Sequence, residues 1–192
     1  MEEISKLVND IGMKLQLLEG ELQKHGIEKV DIRFPRGFLR KTGLFADRLS
    51  FIQNEILKTN LTYNFLLSDI YRWILNRFDI VFTAKEMVIK ERICLFGNII
   101  AAIVTDVADG IDPPQNRRGF KTSLTILMEN KIISEELKED LGWLWGIRNK
   151  VHLETLKEPE YAKYELEDYN KAEIIWEELE KQLNNAQLDG KL

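Results

Sequence analysis

The chain reads as all-α, an up-and-down bundle of about six or seven helices, on three observations. Apolar residues recur at spacings of three and four along most of its 192 residues. Alternating strand patterns of useful length and internal repeats are absent. The composition, 44% hydrophobic and 31% charged with 11 glycines and 4 prolines, is that of a helix-rich globular protein rather than a disordered one. That length suits one domain with a sizeable core, and a single helical domain over residues 1–192 is expected.

Each element follows from its own pattern. Ile4, Leu7, Val8, Ile11, Leu15, Leu18 and Leu22 predict a long amphipathic helix over residues 1–25, stopped at Gly26, with His25 as a favourable cation at its C-terminal end. This helix reads as part of the bundle or as a dimer-forming element. A loop with Pro35, Gly37 and Gly43 follows, and helical patterning resumes near Leu44 and runs with a break to about Val81. Phe65, Tyr71 and Trp73 in that stretch read as core aromatics rather than a base-stacking platform. Thr83 and Glu86 have capping-box spacing and predict the start of the next helix. That helix carries Ile93, Phe96, Gly97, Ile100, Ala101 and Val104, small residues among them allowing a neighbouring helix to approach closely, and it stops near Gly110. After the loop IDPPQNRR, Phe120, Leu124 and Leu127 mark one face of a short helix. Ser134, followed by Glu135 and Glu136, predicts a capped N-terminus with acids in the first turn. Pro159 falls in a linker. Asp168 is expected to cap a final helix whose Ala172, Ile175, Trp176, Leu179 and Leu183 face inward.

Composition also narrows the function. The single cysteine, Cys94, lies in an apolar stretch and reads as a core residue, and nothing points to an oxidising compartment. The N-terminus MEEISKLVND does not have the pattern of a signal peptide, and the longest apolar run, Ile93 to Val104, is too short to span a bilayer, so a cytoplasmic protein without membrane partners is expected. The net charge of -5 argues against a general polyanion binder. Glu154 to Lys181 holds ten acids and four lysines, a net of -6, which leaves +1 for the remainder. Within that remainder, Arg33 to Lys41 and Arg117 to Lys121 are basic stretches that read either as phosphate-holding patches or as solvated loops. Two histidines and one cysteine do not make a zinc site of the usual spacing. Asp106, Asp109 and Asp112 read as a helix end and its turn, so no metal or cofactor is expected. Gly-rich phosphate loops and nucleophile elbows are absent.

The segment WLWGIRNKVHLETL, residues 143–156, poses the functional question. Leu137, Leu141 and Leu144 step by four and three, and the rhythm then lands on Arg148, where a leucine is expected. An unpaired guanidinium in a core slot costs several kcal/mol, so an anion or dense hydrogen bonding should compensate it. On an unbroken helix His152 stands one turn on, with Cβ atoms about 5–6 Å apart, close enough for both side chains to reach one phosphate. Trp145 lies on the same side. Histidine suits proton transfer near neutral pH and arginine suits stabilisation of a phosphorane, the two needs of RNA cleavage by its own 2′-hydroxyl without metal. One histidine per chain supplies a base or an acid, and a two-fold dimer supplies both. The alternative is structural: Arg148 bridging to a carboxylate such as Asp140 or Glu154, with His152 packed at the helix end.

The run MENKIIS, the helix ELKEDLGWLWGIRNKVHL, a linker and a closing helix beginning DYNKA together resemble the HEPN superfamily of small all-α bundles, over about residues 119–180 and with the closing helix to about 186. The family's arginine, polar residue and histidine fall on Arg148, Asn149 and His152. Three residues separate Arg148 from His152, where the family's usual spacing is about four to six. The resemblance implies a metal-independent ribonuclease acting as a homodimer, with the two motifs meeting at the interface, in toxin–antitoxin or phage-defence settings with an antitoxin or other partner protein. It equally implies an inactive module that dimerises and binds a partner protein or nucleotide. In the first case Arg148 holds the scissile phosphate, His152 transfers the proton and Asn149 orients the phosphate or the ring. Lys150, Arg117, Arg118 and Lys121 then guide the backbone of a single-stranded RNA.

Overall fold

The structure, a computed structural model, describes residues 2–25, 40–77, 80–116, 118–151, 159 and 163–192. Its contacts divide the chain into two compact units, residues 1–38 and residues 39–192. The first unit contains helix α1, Glu2–Lys24. The second is a helical bundle: α2 (Thr42–Arg48), α3 (Glu55–Arg77), α4 (Phe82–Ile111), α5 (Phe120–Glu129), α6 (Glu135–Arg148), a 3-10 turn over Asn149–Val151, and α7 (Leu166–Leu188). Among the described residues there is no strand, and no helix is long and apolar enough to cross a membrane.

Helix α4 is the axis of the bundle because it is apolar on nearly every side. Ile89, Ile93, Phe96, Ile99, Ile100, Ile103, Val104 and Val107 are all buried, and α3, α5, α6 and α7 pack around them. The inward faces of α5 and α7 are the expected ones: Phe120, Leu124 and Leu127, and Ala172, Ile175, Trp176, Leu179 and Leu183. Phe65 of α3 joins them, stacked on Phe45 of α2 at 5.2 Å and tilted against Trp176 at 4.7 Å.

The helix starts follow different chemistries. Ser134 caps α6, its Oγ accepting from the Leu137 amide at 3.1 Å. Asp168 acts at the start of α7 from the third helical position rather than as the cap itself, its Oδ2 accepting from the Glu165 amide at 3.0 Å. The expected box at Thr83 does not form. Helix α4 begins at Phe82 after an extended Val81, so Thr83 lies inside the first turn, past the position from which a cap hydroxyl acts.

Charged groups tie the layers together from within. Arg92 of α4 is 1% exposed; its Nη2 donates to Glu173 Oε1 of α7 at 2.6 Å and its Nε to Ser68 Oγ of α3 at 3.1 Å, with the guanidinium 3.7 Å from the Tyr169 ring centre. Burial pushes its pKa down to about 10, against the opposing pull of Glu173, and it remains a cation at neutral pH. Asp69 of α3 accepts from Arg40 Nε at 2.8 Å and from Arg72 Nη2 at 3.1 Å. Arg40 belongs to the basic stretch Arg33–Lys41, and its charge is committed to this buried carboxylate; Lys41 is exposed, and residues 33–39 lie outside the described residues.

Candidate functional site

Arg148 is the last residue of α6. The leucine rhythm is completed one residue before the position expected for it: Ile147 is buried with Leu137, Leu141 and Leu144, and Arg148 is half-buried at the edge. Its aliphatic stem lies against Gly97 of α4. A Cβ at residue 97 would stand 2.7 Å from the Arg148 Cβ and 3.0 Å from its Cγ, closer than side chains approach. The small residue expected to admit a neighbouring helix does so here, at the α4–α6 crossing.

The guanidinium is held on three sides. Nε donates to Asn98 Oδ1 at 2.8 Å, Nη1 donates to Asn149 Oδ1 at 3.2 Å, and the group sits 4.8 Å from the centre of the Trp145 ring. Trp145 is stacked in turn on Phe120 at 4.5 Å. The hydrogen-bond partners described for Arg148 are neutral amide oxygens, which orient the guanidinium without carrying a charge of their own. Of the two carboxylates weighed as its partners, Asp140 is paired with Lys171 at 3.0 Å, and Glu154 lies outside the described residues. Asn149 stands beside Arg148, where its Oδ1 accepts from the guanidinium rather than facing a phosphate or a ring among the described residues.

A groove of about 590 Å³ opens beside Arg148, between the C-terminal half of α4 and the start of α5, with Asn98, Thr105, Asp106, Asp109, Arg118 and Trp145 among its walls. Arg118 is engaged with the loop that closes α4. Its Nη2 donates to the Asp112 carbonyl at 2.6 Å and to Asp112 Oδ2 at 2.8 Å, its Nη1 donates to the Ala108 carbonyl at 3.2 Å, and Asp109 stands 3.5 Å away. Burial, with the negative charge of Asp109 adding to it, pushes the Asp106 carboxyl above the usual carboxylate range. The groove thus carries one oriented arginine, one arginine engaged by its own loop, and two acids. No group of three or more histidine, cysteine or acidic side chains among the described residues is arranged to hold a metal ion.

Two of the remaining expected residues are described, and neither lines this groove. Lys121 on α5 and Lys150 in the 3-10 turn are exposed and are not among the groove's walls. Arg117 and His152 lie outside the described residues. The α-helix ends at Arg148 and continues as a 3-10 turn over Asn149–Val151, and the expected separation of Arg148 and His152 falls outside the described residues. Asn98 and Gly97 were missed by the sequence reading as parts of the site. A signal existed for Asn98, an amide within the apolar run Ile93 to Val104.

Comparison with known proteins gives no match: no family model, no curated protein and no solved structure is significantly similar to this chain.

Proposed function

We propose that the groove beside Arg148 binds a phosphate of single-stranded RNA, and that the chain is a HEPN-like, metal-independent endoribonuclease acting as a homodimer. One observation carries this reading. An arginine is buttressed by a tryptophan face and two amide oxygens at the mouth of a groove, with no described carboxylate bonded to it. Such a guanidinium is pre-oriented by neutral groups among the described residues, which suits bidentate capture of a phosphate. In the proposed reaction the 2′-hydroxyl gives its proton to His152 and attacks the adjacent phosphorus. Arg148 stabilises the charge on the phosphorane oxygens, and Asn149 keeps Arg148 aimed. The P–O5′ bond breaks to leave a 2′,3′-cyclic phosphate and a 5′-oxygen that takes up a proton. The same residue from a second copy provides the complementary proton transfer.

Purified protein incubated with single-stranded RNA and chelator tests this. Cleavage is expected, with loss of at least about a hundredfold in Arg148→Ala or His152→Ala, and a 2′-deoxy substitution at the cleaved position should block it. Variants that cut as well as wild type would sink the proposal. A second reading is favoured by Asp106 and Asp109, whose negative charge in the groove works against a polyanion. On that reading the module is inactive and binds a partner protein, an antitoxin among the candidates, or a nucleotide. Binding of RNA that weakens steeply with salt distinguishes the first reading from salt-insensitive binding of a protein.

A further inference from the structure

The cationic groove belongs to the reading just given; helix α1 offers a separate observation, independent of RNA cleavage. Ile4, Val8, Ile11, Leu15, Leu18 and Leu22 are spaced four, three, four, three and four residues apart, an unbroken heptad seam with Val8, Leu15 and Leu22 at a and Ile4, Ile11 and Leu18 at d. Within its own unit α1 is the described element, and Ile4, Val8, Ile11 and Leu18 are exposed along it. Glu2 pairs with Lys6 on outer positions, while Lys14, paired with Asp10 at 2.7 Å, and Glu21, paired with Lys24 at 2.6 Å, stand at the g positions that flank the seam. Gly12 and Gly20 in the interior weaken a helix of this length, which makes an isolated α1 marginal and gives association a reason.

We propose that α1 pairs with α1 of a second copy as a parallel, in-register coiled coil. The flanking charges choose the direction. In the parallel arrangement Lys14, at g, faces the e position of the neighbouring strand, which the sequence fills with Glu19, and the pair forms on both sides of a dimer. In the antiparallel arrangement that overlays the same six apolar residues, Lys14 meets its own counterpart and the charges repel. The a and d layers mix β-branched and γ-branched residues, so direction follows from the sequence more firmly than strand number.

The 192-residue chain in sedimentation equilibrium should show a mass of at least twice 22.5 kDa. Leu18→Cys should cross-link to its own equivalent on oxidation, whereas wild type, whose Cys94 is buried, should not. Lys14→Glu should weaken association about tenfold by replacing two attractions with two repulsions, and adding Glu19→Lys should restore it. Leu15→Asp should yield a monomer with the bundle's circular dichroism retained. A monomeric wild type overturns the proposal, as does an oligomer that survives Leu15→Asp or a charge swap that restores nothing.

Discussion

Replacing Gly97 with alanine tests whether the α4–α6 crossing is set by the missing side chain. The new Cβ would stand 2.7 Å from the Arg148 Cβ and 3.0 Å from its Cγ. Neither atom is the free end of a flexible chain, so the C-terminal turn of α6 has to move. Overpacking of this kind costs about 1–3 kcal/mol. Alanine in a helix interior returns up to about 1 kcal/mol relative to glycine. The expected net effect is a loss of about 1 kcal/mol, or about 2–4 °C in Tm for a chain of this size. Thermal denaturation followed by circular dichroism measures it. The control is the same substitution beside Arg148→Gly, which removes the opposing Cβ; there Gly97→Ala should be neutral or stabilising. A wild-type background in which Gly97→Ala melts at or above the parent temperature would refute the reasoning. So would an equal loss in both backgrounds.

Other outcomes follow from single contacts. Burial raises the Asp69 carboxyl, but the hydrogen bond and charge of Arg40 together with Arg72 outweigh it and leave the group below its usual range. A depressed folded pKa contributes stability that is present above the unfolded value and lost as pH falls below about 4, so urea midpoints of Asp69→Asn should show a shallower acid decline than wild type. Ser134→Ala removes the oxygen that accepts from the Leu137 amide and should cost about 1 kcal/mol in chemical denaturation. Asp106 has the opposite sign from Asp69. Its raised folded pKa means the charged form is disfavoured above the unfolded value, so Asp106→Asn should stabilise the protein at neutral pH and tighten phosphate or RNA binding in a titration at fixed salt. Unchanged affinity would separate Asp106 from the anion-binding face.

The legible parts of the fold were those governed by many residues at once. The stripes of α5 and α7 were readable because each misplaced residue in a period of 3.6 puts a polar group in the core, and Ser134 because a cap, two acids and a leucine row agree. The end of α6 was less legible. After Leu144, positions 147 and 148 both continue the stripe within its angular width, and Ile147 took the slot by hydrophobicity while Arg148 moved to the rim. The capping pattern at Thr83 matched a motif of two residues, too few to outweigh where the chain enters α4. The site's supports, Gly97 and Asn98, stand some 50 residues from Arg148, and nothing local to either segment announces their meeting.

The cation at the centre of the bundle has a consequence for singularity. Helices greased only with leucine and isoleucine can slide or rotate past one another into neighbouring arrangements of similar energy. Arg92 admits few of these, because displacing α7 or α3 by one turn would strand its charge away from Glu173 and Ser68. An Arg92→Met, Glu173→Leu double variant is then expected to match or exceed the parent in melting temperature, yet to give broader amide resonances as neighbouring packings become accessible. On that view the ion pair acts as an index mark for assembly, at the expense of some robustness.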